Sequence, residues 1–298
     1  MKIQHVECDD HRHTTILVEG LRRQVTLMHI TDSHMYEADE RDPEAIEAAV
    51  GYKARFPDRE NTLEVFRQAM GRAREVGAEF LALTGDQVNF PAYAALEHLE
   101  REIRSLDLPY IYTLGNHDWV YPSREHNHET RAAYYPRFHR FTEGNPAFAA
   151  KEVGGLLMIG LDNSLQQVSE EQLEFLRRQL ATGRPCLLFM HIPMYVRALM
   201  PDIVKKWKGP NVMGAEDGWT QAASQRSYPD VEPATRACVK LITEGAAENL
   251  IGIFTGHVHF VHADEFREGR FQYITDPGLR GGYRVVTIKP LKGSGQCR

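Results

Sequence analysis

The sequence has 298 residues, of which 42% are hydrophobic and 9% aromatic, and its formal net charge is −6. A chain of this size can bury one substantial core, and no stretch is long and apolar enough to cross a bilayer, so fibrous and membrane-spanning classes are excluded and a soluble protein is expected. The acidic balance and the lack of a long lysine and arginine cluster disfavour nucleic acid as a partner, whereas small anionic substrates remain compatible because bound metal ions reverse the local field.

The N-terminal segment and the cysteines bear on the cellular location. Residues 1–13 lack the apolar core of a secretory signal, and the four cysteines, Cys8, Cys186, Cys238 and Cys297, show no CxxC spacing. We therefore expect reduced thiols in a cytoplasmic protein. The sequence indicates no particular oligomeric state.

Predicted strands and helices alternate along the first half of the chain. Extended runs at residues 14–19 and 24–31 flank Gly20 as the strands of an antiparallel hairpin would. A helix is predicted over residues 61–76, where apolar side chains recur at helical spacing, and an apolar strand follows at 80–84. The same pattern repeats with a helix near 93–106 and a strand at 110–114.

The second half continues this alternation. Strands are predicted at 156–161, 186–190 and 250–255, and helices from Ser169 and over 233–244. Residues 192–230 have little periodicity and are predicted to be irregular, and 266–275 and 283–288 are predicted as closing antiparallel strands. Repeated strand and helix segments predict an α/β protein, which we expect to form one domain over residues 1–298 with inserts at about 119–150 and 192–230.

Side chains that bind metal ions follow the predicted apolar strands directly. They are Asp32, His34, Asp86, Asn116, His191, His257 and His259. Because open α/β sheets bind ligands at the carboxyl ends of their strands, we expect these side chains to meet in one crevice. Oxygen and imidazole donors without thiolate suit Mn, Fe, Zn or Ni, and the set is large enough for two ions that share one carboxylate.

Local spacing supports the same site. Asp32 and His34 are two positions apart, as are His257 and His259, so that on an extended segment both members of each pair point the same way. Glycine precedes Asp86, Asn116 and His257, and this predicts sharp turns with positive φ and a close approach of the backbone to the ions.

The motifs DSH, GDQ, GNHD, a lone strand-end His191 and GHVH, in this order from Asp32 to His259, resemble the signature of the calcineurin-like metallophosphoesterases. The resemblance implies a four-layer αββα sandwich of two mixed sheets flanked by helices. It also implies one ion held by Asp32, His34, Asp86 and His259, another held by Asp86, Asn116, His191 and His257, and a catalytic His117 oriented by Asp118. The segment GDQVN lacks the tyrosine that purple acid phosphatases place after this motif, which disfavours a ferric-tyrosinate site.

These features predict dinuclear metal-dependent hydrolysis of a small phosphoester, with a diester such as a cyclic nucleotide favoured over a monoester. A hydroxide bridging the two ions, with the pKa of its parent water lowered to roughly 7, attacks in line, and His117 stabilises the transition state or protonates the leaving alkoxide. The alternatives are a phosphomonoesterase of the same fold, a nuclease, which the acidic charge disfavours, and a non-catalytic scaffold for protein binding, which the complete motif set disfavours.

Three segments are candidates for substrate selection. The first insert carries Trp119, Tyr121, His126, His128 and Arg131, and the second carries Tyr195, Arg197, Asn211 and Trp219. Their aromatic side chains either stack on a base or sugar or pack the inserts onto the body of the protein. In GLRGGYR, Arg280 either reaches a phosphate or belongs to a flexible turn, and Asn116 and His117 are further candidate substrate contacts.

The remaining polar candidates are assigned structural roles. We expect His29 to be packed in the core and Asp162, in the segment LDNS, to form a turn or cap rather than to line the cleft. The histidines at positions 5, 11 and 13 lie in a polar stretch and are predicted to be exposed.

Overall fold

The computed structural model describes residues 1–6, 10–215, 230–245 and 247–292. Within them the chain forms two mixed six-stranded sheets. The first sheet contains β1 (Ile3–Val6), β2 (His13–Val18), β3 (Val25–Ile30), β4 (Phe80–Thr84), β5 (Tyr110–Thr113) and β12 (Arg284–Pro290), in the order β1-β2-β12-β3-β4-β5. The second contains β6 (Phe148–Val153), β7 (Leu156–Leu161), β8 (Cys186–Phe189), β9 (Leu250–Thr255), β10 (His262–Arg267) and β11 (Arg270–Ile274), in the order β10-β11-β9-β8-β7-β6.

Helices connect and cover these strands. The α-helices are α1 (Pro43–Arg55), α2 (Thr62–Glu75), α3 (Tyr93–Leu106), α4 (His128–Tyr134), α5 (Glu170–Leu180), α6 (Met200–Trp207) and α7 (Pro233–Thr243), and short 3-10 turns lie at Pro57–Arg59, Tyr135–Phe138 and Gly278–Arg280. The predicted capping box of α5 is present, because the Ser169 side chain accepts from the backbone of Gln172 while the Gln172 side chain accepts from the backbone of Ser169.

Three apolar clusters show that the architecture has four layers. One cluster lies between the sheets and joins Phe80 and Ile111 of the first sheet to Met158 and Phe189 of the second. The second cluster packs the outer face of the first sheet against α2 and α3, and the third packs the outer face of the second sheet against α5 and α7. The expected αββα sandwich of two mixed sheets flanked by helices is confirmed.

The predicted hairpin around Gly20 is wrong. β2 does not pair with β3, because β12 lies between them, parallel to β2 and antiparallel to β3. The antiparallel partner of β2 is instead the N-terminal β1. Neighbouring sequence runs with a glycine between them predict a hairpin locally, but the C-terminal strand, which is distant in sequence, takes the position between them.

The predicted closing strands also need correction. β10 and β11 form an antiparallel pair within the predicted segment 266–275 and its upstream neighbours, and β11 then continues the second sheet parallel to β9. β12, which corresponds to the prediction at 283–288, lies in the first sheet. The two segments therefore complete different sheets instead of pairing with each other.

Three α-helices, α1, α4 and α6, were not predicted from the sequence. α4 has only seven residues, and none of them is buried. α1 buries only Ala45 and Tyr52, so it has no wide apolar stripe that periodicity could reveal. α6 lies inside the segment 192–230 that was predicted to be irregular, and with eight residues it is too short for a clear period. Part of that segment, including Trp219, lies outside the described residues.

Two further observations concern the cysteines and the possibility of a membrane-spanning helix. Cys186 and Cys238 are buried free thiols, whereas Cys8 and Cys297 lie outside the described residues. No helix among the described residues has the length and apolar character needed to cross a membrane.

The contact between the sheets gives a stability prediction. Phe189 is fully buried, with its ring 5.7 Å from that of Phe254. We expect Phe189→Ala to lower the free energy of unfolding by about 3–5 kcal/mol, because it leaves a cavity between the two sheets. Urea unfolding measures this loss. As a control, Val50→Ala removes a side chain that is 66% exposed on α1 and should change the value by no more than about 0.5 kcal/mol; equal losses in the two variants would contradict the four-layer core.

Candidate metal centre

The predicted metal ligands lie in the loops that follow five strands. Asp32 and His34 follow β3, Asp86 follows β4, Asn116 follows β5, His191 follows β8, and His257 and His259 follow β9. Strands of both sheets thus contribute side chains to the same place. Most of these side chains are buried, with Asp32 and His191 at 0% exposure.

The first group of ligands surrounds Asp32. Its Oδ1 lies 3.1 Å from His259 Nε2, and that nitrogen lies 3.1 Å from His34 Nε2. Asp86 approaches the same group, because its Oδ2 is 3.8 Å from His34 Nε2. These four residues are the set that the resemblance assigned to one ion.

The second group lies on the other side of Asp86. The Nε2 atom of His191 is 3.1 Å from Asp86 Oδ2 and 3.2 Å from His257 Nδ1. Ligand atoms of Asp86, His191 and His257 all lie within 4.8 Å of one another, as do those of Asp32, His34 and His259. Asp86 is therefore placed between two clusters, as a bridging carboxylate must be.

Hydrogen bonds outside the clusters orient two of the imidazoles. His34 Nδ1 is 3.0 Å from Asn89 Oδ1, and His191 Nδ1 is 2.8 Å from the carbonyl oxygen of Thr84. Because both acceptors are oxygens, each Nδ1 carries a hydrogen, and Nε2 is the ring nitrogen of each histidine that faces the cluster. Asn89 was not singled out from the sequence, although it lies in the quoted segment GDQVN; no local pattern distinguishes it from an ordinary loop asparagine.

A buried acceptor indicates that a cation fits the centre. Asn116 Oδ1 is buried and has no hydrogen-bond partner among the described residues, and the same holds for the ring nitrogen Nε2 of His257. An unpaired buried acceptor such as Asn116 Oδ1 costs about 1–3 kcal/mol, and a bound metal ion would remove that cost. Together with the carboxylates and the facing imidazole nitrogens, these atoms supply the donors that divalent transition metals prefer.

The electrostatics of the centre agree with metal binding. Burial lowers the pKa of His34 and of His257 to about 3, so both rings are neutral, which is the form that coordinates metal. Burial alone would lower the pKa of His191, but the charge of Asp86 outweighs it and raises this pKa to about 10. Burial likewise disfavours the charge on Asp32, yet His259 beside it holds the pKa of this carboxyl below its usual range. The carboxylates thus create a negative field in a buried site, which stabilises cations there.

The backbone conformation of the ligands differs from the expectation. Positive φ values occur at Asp32 (54°), His34 (49°), Asp86 (50°), His257 (69°) and His259 (56°). The paired residues therefore converge through left-handed turns and not through the alternation of an extended strand. Non-glycine residues with such φ values cost of order 1–3 kcal/mol each and persist where the surrounding structure holds them, which is typical of functional sites.

The glycines beside the ligands mainly allow the backbone to approach the ligand side chains closely. Gly85 has φ +76°, as predicted, whereas positive φ is found at neither Gly115 nor Gly256. A Cβ atom at Gly115 would lie 2.2 Å from Asp86 Oδ1, and one at Gly256 would lie 2.0 Å from Thr31 Oγ1 and 2.2 Å from Asp32 Oδ2. These two positions leave no space for a side chain beside the ligands.

His117 lies at the edge of the centre and is partly exposed. Its ring centroid is 4.8 Å from that of His34, and one of its ring nitrogens lies within 4.8 Å of ligand atoms of His34 and Asp86. Its backbone N–H donates to Asp86 Oδ1 at 2.8 Å. The ring is therefore held beside the centre with access to solvent.

Asp118 does not orient the ring of His117 as expected. Its carboxylate accepts hydrogen bonds from the backbone N–H groups of Asp86, Val88 and Gly115, at 2.7–3.1 Å. It therefore ties the loop after β4 to the loop after β5, and acts on His117 only through the backbone of the GNHD segment.

The first insert packs onto the body of the protein. Trp119 and Tyr121 are buried, and their polar atoms contact Ser164 Oγ and Asp42 Oδ2 at 2.9 and 2.5 Å. Asp162 accepts from the backbone of Ser164 and from the side chains of Arg131 and Tyr135. The turn assigned to Asp162 is present, and the packing interpretation holds for these aromatic residues. The ring of His126 is tilted against that of Trp119 with the centroids 4.5 Å apart, and His128 is exposed on α4.

The second insert contributes residues that the sequence did not single out. α6 ends beside the loop after β9, where Lys206 Nζ donates to the carbonyl oxygen of His259 at 2.5 Å and Trp207 Nε1 donates to Val258 O at 3.0 Å. Among the predicted residues of this insert, Arg197 is exposed and Asn211 accepts from Gln166, while Tyr195 packs beside the apolar cluster of α6.

The other candidates are placed as follows. Arg280 is the last residue of the turn Gly278–Arg280. The Leu279 N–H of this turn donates to Asp32 O at 2.9 Å, so the backbone of the turn lies close to the centre. His29 is buried between Thr84 and Thr275, as predicted. His5 departs from the prediction, because it is only partly exposed and hydrogen-bonds Tyr273 and Ile251, whereas His11 and His13 are exposed.

Comparison with known proteins decides the family. The family model described as calcineurin-like phosphoesterase matches residues 25–261. The chain belongs to the calcineurin-like phosphoesterase family. Members of this family use a dinuclear metal centre for phosphoester hydrolysis, and the two clusters around Asp86 are the corresponding candidate site.

Solved structures are similar to this calcineurin-like phosphoesterase at low sequence identity. A dimetal phosphatase from Danio rerio is 12% identical with a TM-score of 0.55, and the match covers 89% of this chain and 92% of that one. The calcineurin-like phosphoesterase YfkN from Bacillus subtilis is 13% identical with a TM-score of 0.47, over 92% of this chain and 87% of that one. The similarity to the Danio rerio protein shows the shared fold. No curated protein sequence matches the chain.

The close contact of Gly256 with Asp32 predicts that adding one methyl group at this position affects metal binding. Gly256→Ala should remove bound metal from the side of Asp32 and His259, because the added Cβ displaces the Asp32 carboxylate. Metal content per chain, measured by inductively coupled plasma mass spectrometry, reports this loss. Gly71→Ala, on α2 with open space around the new Cβ, is the matched control and should retain all the metal. Full metal content in Gly256→Ala would contradict the placement of these atoms.

The hydrogen bond from His34 to Asn89 predicts a weaker metal site without it. Asn89→Ala removes the acceptor that fixes the His34 ring, and we expect metal affinity to fall about 10- to 100-fold in competition with a chelator. Asn61→Ala, at an exposed position whose side chain makes no capping bond, should leave the affinity unchanged. Equal metal affinities in the two variants would show that Asn89 does not contribute to the metal site.

Proposed function

We propose that the protein hydrolyses a small phosphodiester at a centre that holds two metal ions. The observation that carries the proposal is the position of Asp86, whose carboxylate lies between two separate clusters of ligand atoms. In this proposal Asp32, His34, Asp86 and His259 hold one ion, and Asp86, Asn116, His191 and His257 hold the other.

When bound, two such ions lower the pKa of a water held between them and neutralise phosphate oxygens as negative charge develops. The chain itself supplies the positioning. Asp118 and the backbone bonds that it accepts hold the Asp86 and Asn116 loops in register. Buried surroundings strengthen the electrostatic interactions of a bound phosphoryl group.

His117 is proposed to stabilise the transition state or to protonate the leaving alkoxide. Its ring lies next to His34 at the exposed edge of the centre, which gives it access to a substrate oxygen on that side. Its backbone N–H donates to Asp86 Oδ1, so the backbone that carries the ring is held in place relative to the carboxylate proposed to bridge the ions. Asn116, beside it, is a further proposed contact of the phosphoryl group.

The open edges of the centre support a diester over a monoester. His117 is partly exposed beside His34, and Lys206 is exposed beside His259 on a different element of the chain. A phosphodiester bound at this centre would therefore find an open edge for each of its two ester groups. The oxygen and imidazole donors favour Mn, Fe or Zn as the native metals. A cytoplasmic location stays a prediction.

Two alternatives remain distinguishable by experiment. A phosphomonoesterase would use the same ligands and would prefer a substrate with one ester group. A protein-binding scaffold of the same fold would bind no ions or bind them without turnover. The complete set of buried ligand atoms around Asp86 favours an enzyme over the scaffold.

Hydrolysis assays on chelator-stripped protein test the proposal. With Mn, Fe, Zn, Ni, Mg or Ca restored one at a time, we expect metal-dependent hydrolysis and a higher kcat/KM for bis-p-nitrophenyl phosphate than for p-nitrophenyl phosphate. Asp86→Ala should abolish the activity, whereas Asp39→Ala, which removes a surface carboxylate paired with Arg41, should not. A preference for the monoester would support the phosphatase, and metal binding without hydrolysis of either ester would support the scaffold.

The role of His117 gives a separate prediction. His117→Ala should keep the metal content while kcat falls about 100-fold or more, because the general acid is lost and the assigned ligands are not. His128→Ala is the matched control, since this exposed histidine lies on α4 in the insert that begins after GNHD. Full activity of His117→Ala with either ester would rule out the assigned role.

A further inference from the structure

Lys206 is fixed at the rim of the candidate metal centre. Its ammonium donates to the carbonyl oxygen of His259 and lies 5.7 Å from the ring centroid of Trp207 and 5.2 Å from that of Phe260. A lysine side chain normally loses considerable rotamer freedom when it binds a ligand, and here contacts with two aromatic faces already restrict it. The ammonium remains exposed and has further hydrogen atoms to donate.

Arg280 brings a second cation to the same rim from another part of the chain. The turn that carries it is hydrogen-bonded to the first ligand loop, because Gly278 N–H donates to Thr31 O at 2.7 Å and Leu279 N–H donates to Asp32 O at 2.9 Å. The bonds that hold the two residues thus end on the backbones of His259 and Asp32, and the side chains of these two ligands are 3.1 Å apart, from His259 Nε2 to Asp32 Oδ1. The two cationic residues are therefore anchored at the same pair of ligands.

Neither cation has a carboxylate within salt-bridge distance in the part of the chain that the structure describes. Arg41, by contrast, is paired with both Asp39 and Glu97. Two neighbouring cations without close counterions are unfavourable for the protein alone, and an anion bound between them reverses that effect.

We propose that Lys206 and Arg280 bind a second anionic group of the substrate, a phosphate or a carboxylate separate from the phosphoryl group at the metal ions. The inference rests on the proposed hydrolase function and specifies its substrate class. Lys206 Nζ is bonded to the backbone of His259, the turn that carries Arg280 is bonded to the backbone of Asp32, and neither residue belongs to the two ligand clusters. They are thus placed to contact a group attached to the scissile phosphate.

A structural role for Lys206 makes a different prediction. If the bond from Lys206 to His259 serves only to fasten α6 to the loop after β9, the loss of Lys206 lowers the affinity for all small molecules that bind at the centre equally. If Lys206 binds a second anionic group, its loss lowers the affinity only for molecules that have such a group. The ratio of the affinity for a molecule with two anionic groups to the affinity for a molecule with one therefore distinguishes the two roles, because a loss of affinity common to both molecules cancels.

The test measures binding of three small probes to the metal-loaded full chain by calorimetry. Methylphosphonate carries one anionic group, phosphonoacetate adds a carboxylate, and methylenediphosphonate adds a second phosphonate. We expect Lys206→Met and Arg280→Met each to lower the affinity of at least one two-anion probe, relative to methylphosphonate, by about tenfold, the effect of losing one charge-assisted hydrogen bond. The probe with the larger change identifies carboxylate or phosphate as the second group.

The controls fix the interpretation. Lys205→Met removes an equal charge from the adjacent, exposed position of α6 and should leave the affinity ratios unchanged, and Lys206→Arg should retain most of the preference. Equal losses for all three probes, or unchanged ratios in both Lys206→Met and Arg280→Met, would overturn the inference. Exposed Arg280 provides the test even if Lys206→Met does not fold. Hydrolysis of bis-p-nitrophenyl phosphate by the unsubstituted protein decides the proposed function separately, since that ester has one anionic group.

Discussion

The carboxylate of Asp86 is the interaction on which the candidate site depends. Its Oδ2 lies 3.1 Å from His191 Nε2, which comes from the second sheet, and 3.8 Å from His34 Nε2, which comes from the first. Its Oδ1 accepts the backbone N–H of His117. A carboxylate buried this deeply requires positive charge or several donors nearby. The packing of the two sheets brings these partners to it, so the αββα architecture and the metal centre are parts of one arrangement.

This arrangement places conformational strain at the ligands. Five of the assigned ligand residues adopt left-handed backbone, at a cost of roughly 1–3 kcal/mol each. Hydrogen bonds between loops hold them there, including Asp32 N–H to Gly85 O at 3.0 Å and His34 N–H to Asp86 O at 2.9 Å. The apolar core between the sheets supplies the stability that offsets the strain. The ligand loops are thus held in position by the protein, which favours a preorganised centre.

The candidate ligands were identified from the sequence because each follows an apolar strand, and the order of motifs predicted the four layers. It did not predict that β12 separates β2 from β3, since strand order depends on contacts between distant segments and not on local pattern. The roles of Asn89 and Lys206 were also missed. Asn89 contacts His34 Nδ1 and Lys206 contacts His259 O, and only the folded chain brings these atoms together. Asp118 was identified, but its three backbone donors replace the expected contact with His117.

The most direct test of the bridged centre is electron paramagnetic resonance of the protein loaded with manganese, together with its metal content. If Asp86 bridges two ions, the protein binds two manganese ions per chain, and their spectrum shows exchange coupling that disappears in Asp86→Ala. One ion per chain, or two ions without coupling in the unsubstituted protein, would contradict the assignment of Asp86 as the shared ligand.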